Sequence, residues 1–350
     1  MIDLKKLQAR LPKTIELKKD YAILIDQRLL PSQLKFLKIK DYRQMIKAIS
    51  EMNIRGAQAI GAAGACGLVL GALAYKKENV SDFTKYLTRI AREIIKVRPT
   101  AVNLAWAVNK VLAGAQGKNV KEIKKNIFKV AQEILASEVA NNLKLGEYGA
   151  GLIKDGNRIL THCNAGSLSG IWFGTATAPI YIAYLSGKRI RVNMDETRPM
   201  LQGARLTAWE LDRAGVPCQL NIDAAAGYLI SNGLVDLVIV GADRIASNGD
   251  TANKIGTFPL ALMAYVYKIP FYVAAVTATI DFEIKTGKEI PIEQRSPNEV
   301  TKDILYWKKP VAPRGVKAIN PVFDVTPAKF ITKIITEKGV FTPEQIISLK

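Results

Sequence analysis

Two side chains in this sequence combine a reactive type with a telling position. Cys163 follows the β-rich run Arg158 to His162 and precedes the small residues Asn164, Ala165, Gly166 and Ser167. Asp243 closes the run Leu234 to Ala242 and is followed by Arg244, Asn248, Gly249 and Asp250. A carboxylate at a sheet edge, partly withdrawn from water, suits general acid or base work. Cys163 is expected to open a helix with an arginine nearby, and both would favour the thiolate. The blander readings are an N-cap or a partner of Arg244 for Asp243, and a small buried hydrophobe for Cys163. The second fits Cys66 better, because Cys66 sits inside an apolar run.

Groups suited to an anion recur around these two. Arg55-Gly56-Ala57 stands where a helix should begin, so free backbone N–H groups and a guanidinium can converge there. It is neither a Walker loop nor a dinucleotide fingerprint, since it lacks Gly-Lys-Ser/Thr and no strand precedes it; tight helix packing explains it equally well. Arg98-Pro99-Thr100 repeats the arrangement, and Asn253-Lys254 offers an amide and a point charge ahead of another helix. Gln202 is a neutral hydrogen-bonder fit for sugar hydroxyls.

These residues need elements to hold them. Five short β-rich runs, Arg158 to His162, Arg189 to Met194, Cys218 to Ile222, Leu234 to Ala242 and Phe271 to Val276, each end in polar residues. In an open parallel sheet, ligands bind beyond the carboxyl ends of the strands, so one shared site is expected. Strand and helix alternate after Gly156, which indicates a doubly wound α/β domain. Before it the periodicity is helical over Tyr42 to Met52, Gln58 to Tyr75, Ser81 to Val97, Val102 to Ala113 and Val120 to Ala140, continuing through Asn142 to Leu152. Thr14 to Leu17 and Ala22 to Ile25 read as a small N-terminal sheet. A mainly helical domain over residues 1–145 and a Rossmann-like catalytic domain over 146–350 are expected.

Composition narrows the chemistry. Three scattered cysteines form neither a disulfide framework nor a CxxC metal site, and point to a reduced, cytoplasmic protein. His162 is the single histidine, which excludes most zinc sites. As neighbours on a strand, His162 and Cys163 face opposite ways, which argues against a Cys–His dyad and for a structural histidine. The net charge of +19 is spread without a basic block interleaved with aromatics, so a phosphorylated small molecule is the expected partner rather than specific nucleic acid. No secretory signal is visible at the start. The run Ala59 to Tyr75 is dominated by Ala and Gly and falls short of the roughly 20 strongly apolar residues of a membrane span; a buried helix is expected. The residues by themselves indicate a metal-free α/β enzyme acting on a small phosphorylated molecule.

The same segments resemble the methylthioribose-1-phosphate isomerase family over nearly the whole chain. The likeness runs through IRGAQAIGAA (Ile54 to Ala63), RPTAVNLAWAV (Arg98 to Val108), ILTHCNAG (Ile159 to Gly166), DETRPMLQGARLTAWEL (Asp195 to Leu211) and VDLVIVGADRIASNGDTANKIGT (Val235 to Thr257), then IPFYVAA, NPVFDVTP and IITEKGV. The resemblance implies interconversion of 5-methylthioribose 1-phosphate and the ribulose 1-phosphate in methionine salvage, without a cofactor, by a homodimer. It implies that Asp243 is the proton donor and Cys163 the second catalytic residue. Arg55, Gly56, Ala57, Arg98, Gln202, Asn253 and Lys254 fall on substrate-binding positions.

Two departures stand out: Gln58 and Val276 occupy positions where the family usually has Pro, which bears on the loops around the sugar pocket. Two rivals resemble the same family. One is a ribose-1,5-bisphosphate isomerase, which needs a second phosphate subsite; Trp106 and the length of the N-terminal half favour the methylthio sugar. The other is a regulatory subunit like those of the translation-initiation exchange factor, which needs no Cys163 and Asp243 together.

Overall fold

The computed structural model describes residues 4–98, 101–302, 309–313 and 315–350. It opens with a helix absent from the sequence expectation, α1 (Leu4–Arg10). Leu7 and Leu11 pack with Trp172, Tyr181 and Leu211 of the second half, and Arg10 donates to the Ala214 carbonyl at 3.0 Å. The expected N-terminal β element then forms as β1 (Ile15–Leu17) and β2 (Ala22–Ile25), completed by β3 (Phe36–Ile39) into an antiparallel sheet.

The helical stretch follows as α2 (Tyr42–Ser50), α3 (Ala57–Ala74), α4 (Val80–Lys96), α5 (Val102–Ala113) and α6 (Val120–Ala150). Asp41, Asn79 and Asn119 cap α2, α4 and α6 by accepting from the Arg43, Asp82 and Glu122 amides, satisfying N–H groups the helix cannot. Pro99 and Thr100, read as opening a helix, lie outside the described residues. Helix α3 is buried from Gln58 to Ala72. A methyl group at Gly61 would lie 2.9 Å from the Asn103 carbonyl oxygen, so the glycine allows α5 to close on α3. Among the described residues α3 is the one helix long and apolar enough to cross a membrane, and most of it is buried inside the protein. Helix α6 runs unbroken through residue 145. Its Ile123, Ile127 and Ile134 join the core of the helical half, and its Leu145 and Ala150 join the core beneath the large sheet.

The second half builds β4 (Arg158–Thr161), α7 (Thr177–Leu185), β5 (Arg191–Asp195), α8 (Ala208–Ala214), β6 (Cys218–Asn221), α9 (Ala225–Ser231), β7 (Leu237–Val240), β8 (Arg244–Ala246), β9 (Thr251–Lys254), α10 (Thr257–Val266), β10 (Phe271–Ala274), β11 (Ile280–Asp281), α11 (Asn298–Thr301), β12 (Phe323–Thr326), β13 (Lys333–Thr336) and β14 (Gly339–Phe341). The large sheet has the order β14-β13-β10-β7-β4-β5-β6, parallel except for β14. All five strands expected from the sequence are in it, and the doubly wound α/β class holds. A smaller sheet, β11-β8-β9-β12, was not expected. The chain winds outward from β4 through β5 to β6, then returns to place β7 on the other side of β4. The crevice between β4 and β7 is therefore the topological switch point, where such sheets bind ligands.

Candidate active site

Cys163 follows one strand of the switch point and Asp243 the other. Both line a cavity of about 390 Å³, together with Arg55, Gly56, Ala57, Arg98, Gln202 and Lys254. Asn253 is not in its wall. Strand β9 sends the Asn253 amide to Thr257 Oγ1 at 3.1 Å and the neighbouring Lys254 into the cavity, as alternation along a strand requires.

The backbone of Cys163 is clamped. Its N–H donates to Thr197 Oγ1 at 2.9 Å and its carbonyl accepts from Thr207 Oγ1 at 2.7 Å. Its φ of 65° is left-handed, costly for a residue with a Cβ. The helix expected at Cys163 does not form: α7 begins only at Thr177. The intervening loop is organised by the buried carboxylate of Glu210, which accepts from Asn164 Nδ2 (2.8 Å), Ser167 N (2.5 Å), Leu168 N (3.0 Å) and Tyr181 Oη (3.2 Å). The thiol accordingly differs from expectation too. Burial pushes it above its ordinary value, Arg55 and Lys254 pull it back, and Asp243 adds to the rise. No helix N-terminus is there to offset the burial.

Asp243 lies deep in the protein with an opening onto the cavity, and its N–H donates to the Ala252 carbonyl at 2.9 Å. Burial pushes its carboxyl upward, while Lys254, Arg55 and Arg98 pull it down. Lys254 is itself buried; burial lowers its ammonium, and Cys163 and Asp243 raise it. Two proton carriers and a buried cation thus form one coupled group.

The helical half supplies an anion seat. Gly56 precedes α3 with φ of 94° and provides no side-chain cap, leaving Gly56 and Ala57 of the helix start at the cavity wall. Any Cβ at Gly56 would collide with the Ser169 backbone, and the Ala59 N–H donates to the Ser169 carbonyl at 3.0 Å. Arg55 Nη1 donates to Asn164 Oδ1 at 2.7 Å, which orients the guanidinium from the Cys163 loop. Arg98 is buried enough to lower its pKa, opposed first by Glu293, with which it forms a 4.0 Å ion pair. Among the described residues the buried Oε1 atom of Gln202 meets no hydrogen-bond partner, which makes it an acceptor suited to a hydroxyl.

Sequence reasoning missed the apolar wall, Met52, Ile60, Met200, Ile290, Val322 and Phe323, and the cations Arg28, Arg205 and Arg295. Phe323 lies in NPVFDVTP, where its signal was present but undirected. Trp106, enlisted for the sugar's apolar end, does not line the cavity; it is on the outer face of α5 with Lys110 4.8 Å from its ring centroid. Gln58 and Val276 also lie outside the wall. Gln58 faces Glu138 and Asn142, and Val276 is in the core. His162 is structural, bonded to Asp195 Oδ2 at 2.8 Å and the Ile255 carbonyl at 2.9 Å. Asp223 completes a cluster with them, yet both ring nitrogens are already committed to protein acceptors.

A Rossmann-like crevice holding a partly buried acid, a buried thiol and converging cations marks an enzyme for a small anionic molecule. The Initiation factor 2 subunit family model matches residues 53–343. The chain is 48% identical over 344 residues to the methylthioribose-1-phosphate isomerase of Thermoanaerobacter sp. (strain X514), covering 97% of this chain and 99% of that protein. It resembles the crystal structure of 5-methylthioribose 1-phosphate isomerase from Pyrococcus horikoshii OT3 with a TM-score of 0.91 and 42% identity, over 99% of this chain and 97% of the other. It also resembles the translation initiation factor eIF-2B, subunit delta, from A. fulgidus, with a TM-score of 0.85 and 40% identity over 95% and 96%. The chain belongs to the initiation factor 2 subunit family and, within it, to the methylthioribose-1-phosphate isomerases.

Proposed function

We propose that the chain interconverts 5-methylthioribose 1-phosphate and 5-methylthioribulose 1-phosphate, as an enzyme of methionine salvage. The observation that carries this reading is the pairing of Cys163 and Asp243 across the switch point, in a cavity lined by both cations and apolar side chains. The phosphate sits at the start of α3 with Arg55, Arg98 and Lys254, and the methylthio group lies against Met52, Val322 and Phe323. A 1-phosphate blocks the anomeric carbon, so the ring does not open by itself. Asp243, whose carboxyl burial raises above its ordinary value against the pull of Lys254, Arg55 and Arg98, donates to the ring oxygen. Cys163, whose thiol burial raises while Arg55 and Lys254 partly offset the rise, then serves the transfer of hydrogen from C2 to C1. Gln202 binds a hydroxyl. Neither metal nor cofactor is required.

Division into domains near residue 145, a cytoplasmic location and a homodimer belong to the same proposal. Ile222, Tyr228, Tyr265 and Val266 are exposed around the edge strand β6 and helices α9 and α10. An apolar face beside an unpaired edge suits a second copy of the chain. Light scattering that finds only a 38.4 kDa species would end that part.

The deciding experiment incubates purified protein, with excess chelator, with either 5-methylthioribose 1-phosphate or ribose 1,5-bisphosphate, and follows the products by phosphorus NMR. Turnover of the first alone is expected. The extra cations Arg28 and Arg295 are already paired, with Asp26 and Glu51 and with Glu299, which disfavours a second phosphate. Turnover of the bisphosphate alone transfers the assignment to that substrate. Turnover of neither supports the regulatory-subunit reading.

A further inference from the structure

His162 is the single histidine of the chain, is buried, and stands beside Cys163 without lining the cavity. Both of its ring nitrogens meet acceptors. The Ile255 carbonyl, 2.9 Å from Nε2, has no proton to give, so Nε2 carries one. Asp195 Oδ2 lies 2.8 Å from Nδ1, and Asp195 Oδ1 accepts from Asn221 Nδ2 at 2.6 Å. Among the described residues, two further carboxylates face the ring. Asp223, beyond β6, accepts the Thr197 and Arg198 amides at 2.7 and 2.8 Å. Asp324, on β12, accepts the Gly256 and Phe258 amides at 2.8 and 3.1 Å. Burial works against a charged ring here, but the Asp195 hydrogen bond and charge, the Ile255 carbonyl and Asp223 outweigh it, and the imidazole is held above its ordinary value.

This ring joins two ends of the site. Ile255 follows Lys254 directly, and Cys163 follows His162 directly. Gly256 packs so closely that a methyl group there would lie 2.9 Å from His162 Cε1. The turn after β9 is therefore gripped by His162 on the Ile255 carbonyl and by Asp324 on the next amides. We propose that His162 is a positioning residue: as an imidazolium bonded to Asp195 and to the Ile255 carbonyl, it fixes the Lys254 end of β9 against the Cys163 end of β4. It thereby sets where the ammonium stands relative to the thiol. The inference rests on reading Cys163 and Lys254 as parts of one substrate site, but its tests need no turnover.

A lone histidine gives one pair of ring nitrogen signals in protein labelled with ring ¹⁵N-histidine. Titrated through these signals, the ring should lose its proton above the roughly 6.5 of a free imidazole. A midpoint at or below that value overturns the charged tether. The second test is the rate of Cys163 alkylation by iodoacetamide at neutral pH in a Cys218→Ser background, read from the mass of the Cys163 peptide. His162→Asn should slow it roughly tenfold, since a displaced cation no longer favours the thiolate. In a Lys254→Ala background the same substitution should change nothing further. No slowing in folded His162→Asn, or equal slowing in both backgrounds, overturns the role assigned to Lys254. If His162→Asn does not fold, the NMR signal of the unaltered chain still decides. Should the sugar-phosphate assay fail while these results hold, only the reaction assigned to the site is wrong.

Discussion

The helical half brings its cavity groups to helix ends: Arg55 and Gly56 ahead of α3, Arg98 behind α4. The sheet half brings its groups to the ends of strands, Cys163 after β4, Asp243 after β7 and Lys254 at the end of β9. The difference is chemical as well as geometric. Helix ends supply oriented amides and guanidinium groups, fixed positive charge that binds but does not exchange protons. The strand ends supply titratable groups whose proton affinities are tuned by burial and by each other. The first half should govern binding and the second the chemical step.

The largest expected effect tests the strand ends. Asp243→Asn keeps the shape of the acid but not its transferable proton, and Cys163→Ser replaces the thiol with a far weaker acid. Each should reduce turnover by roughly 100-fold or more, measured by steady-state kinetics after circular dichroism confirms folding. Near-normal turnover in either would break the division of labour. Next come the helix ends. Arg55→Ala and Arg98→Ala should raise KM by roughly 10- to 100-fold, the scale of a lost charged hydrogen bond, with a smaller change in kcat. A kcat loss equal to that of Asp243→Asn would show that the guanidinium groups act in the chemical step.

A third test separates binding from support. Glu138 on α6 is buried, accepts from Gln58 of α3, and has its carboxyl pushed by burial up to about 7. Because the folded state holds this proton more tightly than the unfolded chain, the stability it lends is fully present below about pH 4.5. It is lost as pH rises toward 7. Glu138→Gln mimics the protonated form. It should gain at most about 3 kcal/mol over the unaltered chain at pH 8 and match it at pH 4, read by urea unfolding. An equal difference at both pH values would remove Glu138 as the source. Smallest of all should be Cys218→Ser, since this half-buried thiol lies outside the cavity; kcat and KM should both stay within about twofold.

Much of the fold was legible because its signals are local. The stretches leading to α2, α4 and α6 carry capping residues and a helical period. The five strands of the large sheet are short apolar runs that stop at polar residues. What escaped was short or context-dependent. Helix α1 has one fully buried anchor within its seven residues, Leu7, whose core cluster, apart from Leu11, draws its buried members from Leu145 onward. The sheet β11-β8-β9-β12 draws three- and four-residue strands, and one of two, from residues 244–326. In the site, Cys163, Asp243, Arg55, Arg98, Gln202 and Lys254 were found by type and position. Asn253 was not separable from Lys254, since which of two neighbours faces a cavity depends on what the strand packs against.

The sequence by itself determined the element types and which residues end them, because helical and strand periods and polar stops are written in consecutive residues. Tertiary structure alone decided that Cys163 and Asp243 are neighbours, because β7 could pair beside β4 only after the chain had wound out to β6 and returned. It also decided the state of the thiol. Desolvation depends on what surrounds a group, and Cys163 opens a loop that Glu210, 47 residues further along, holds in place.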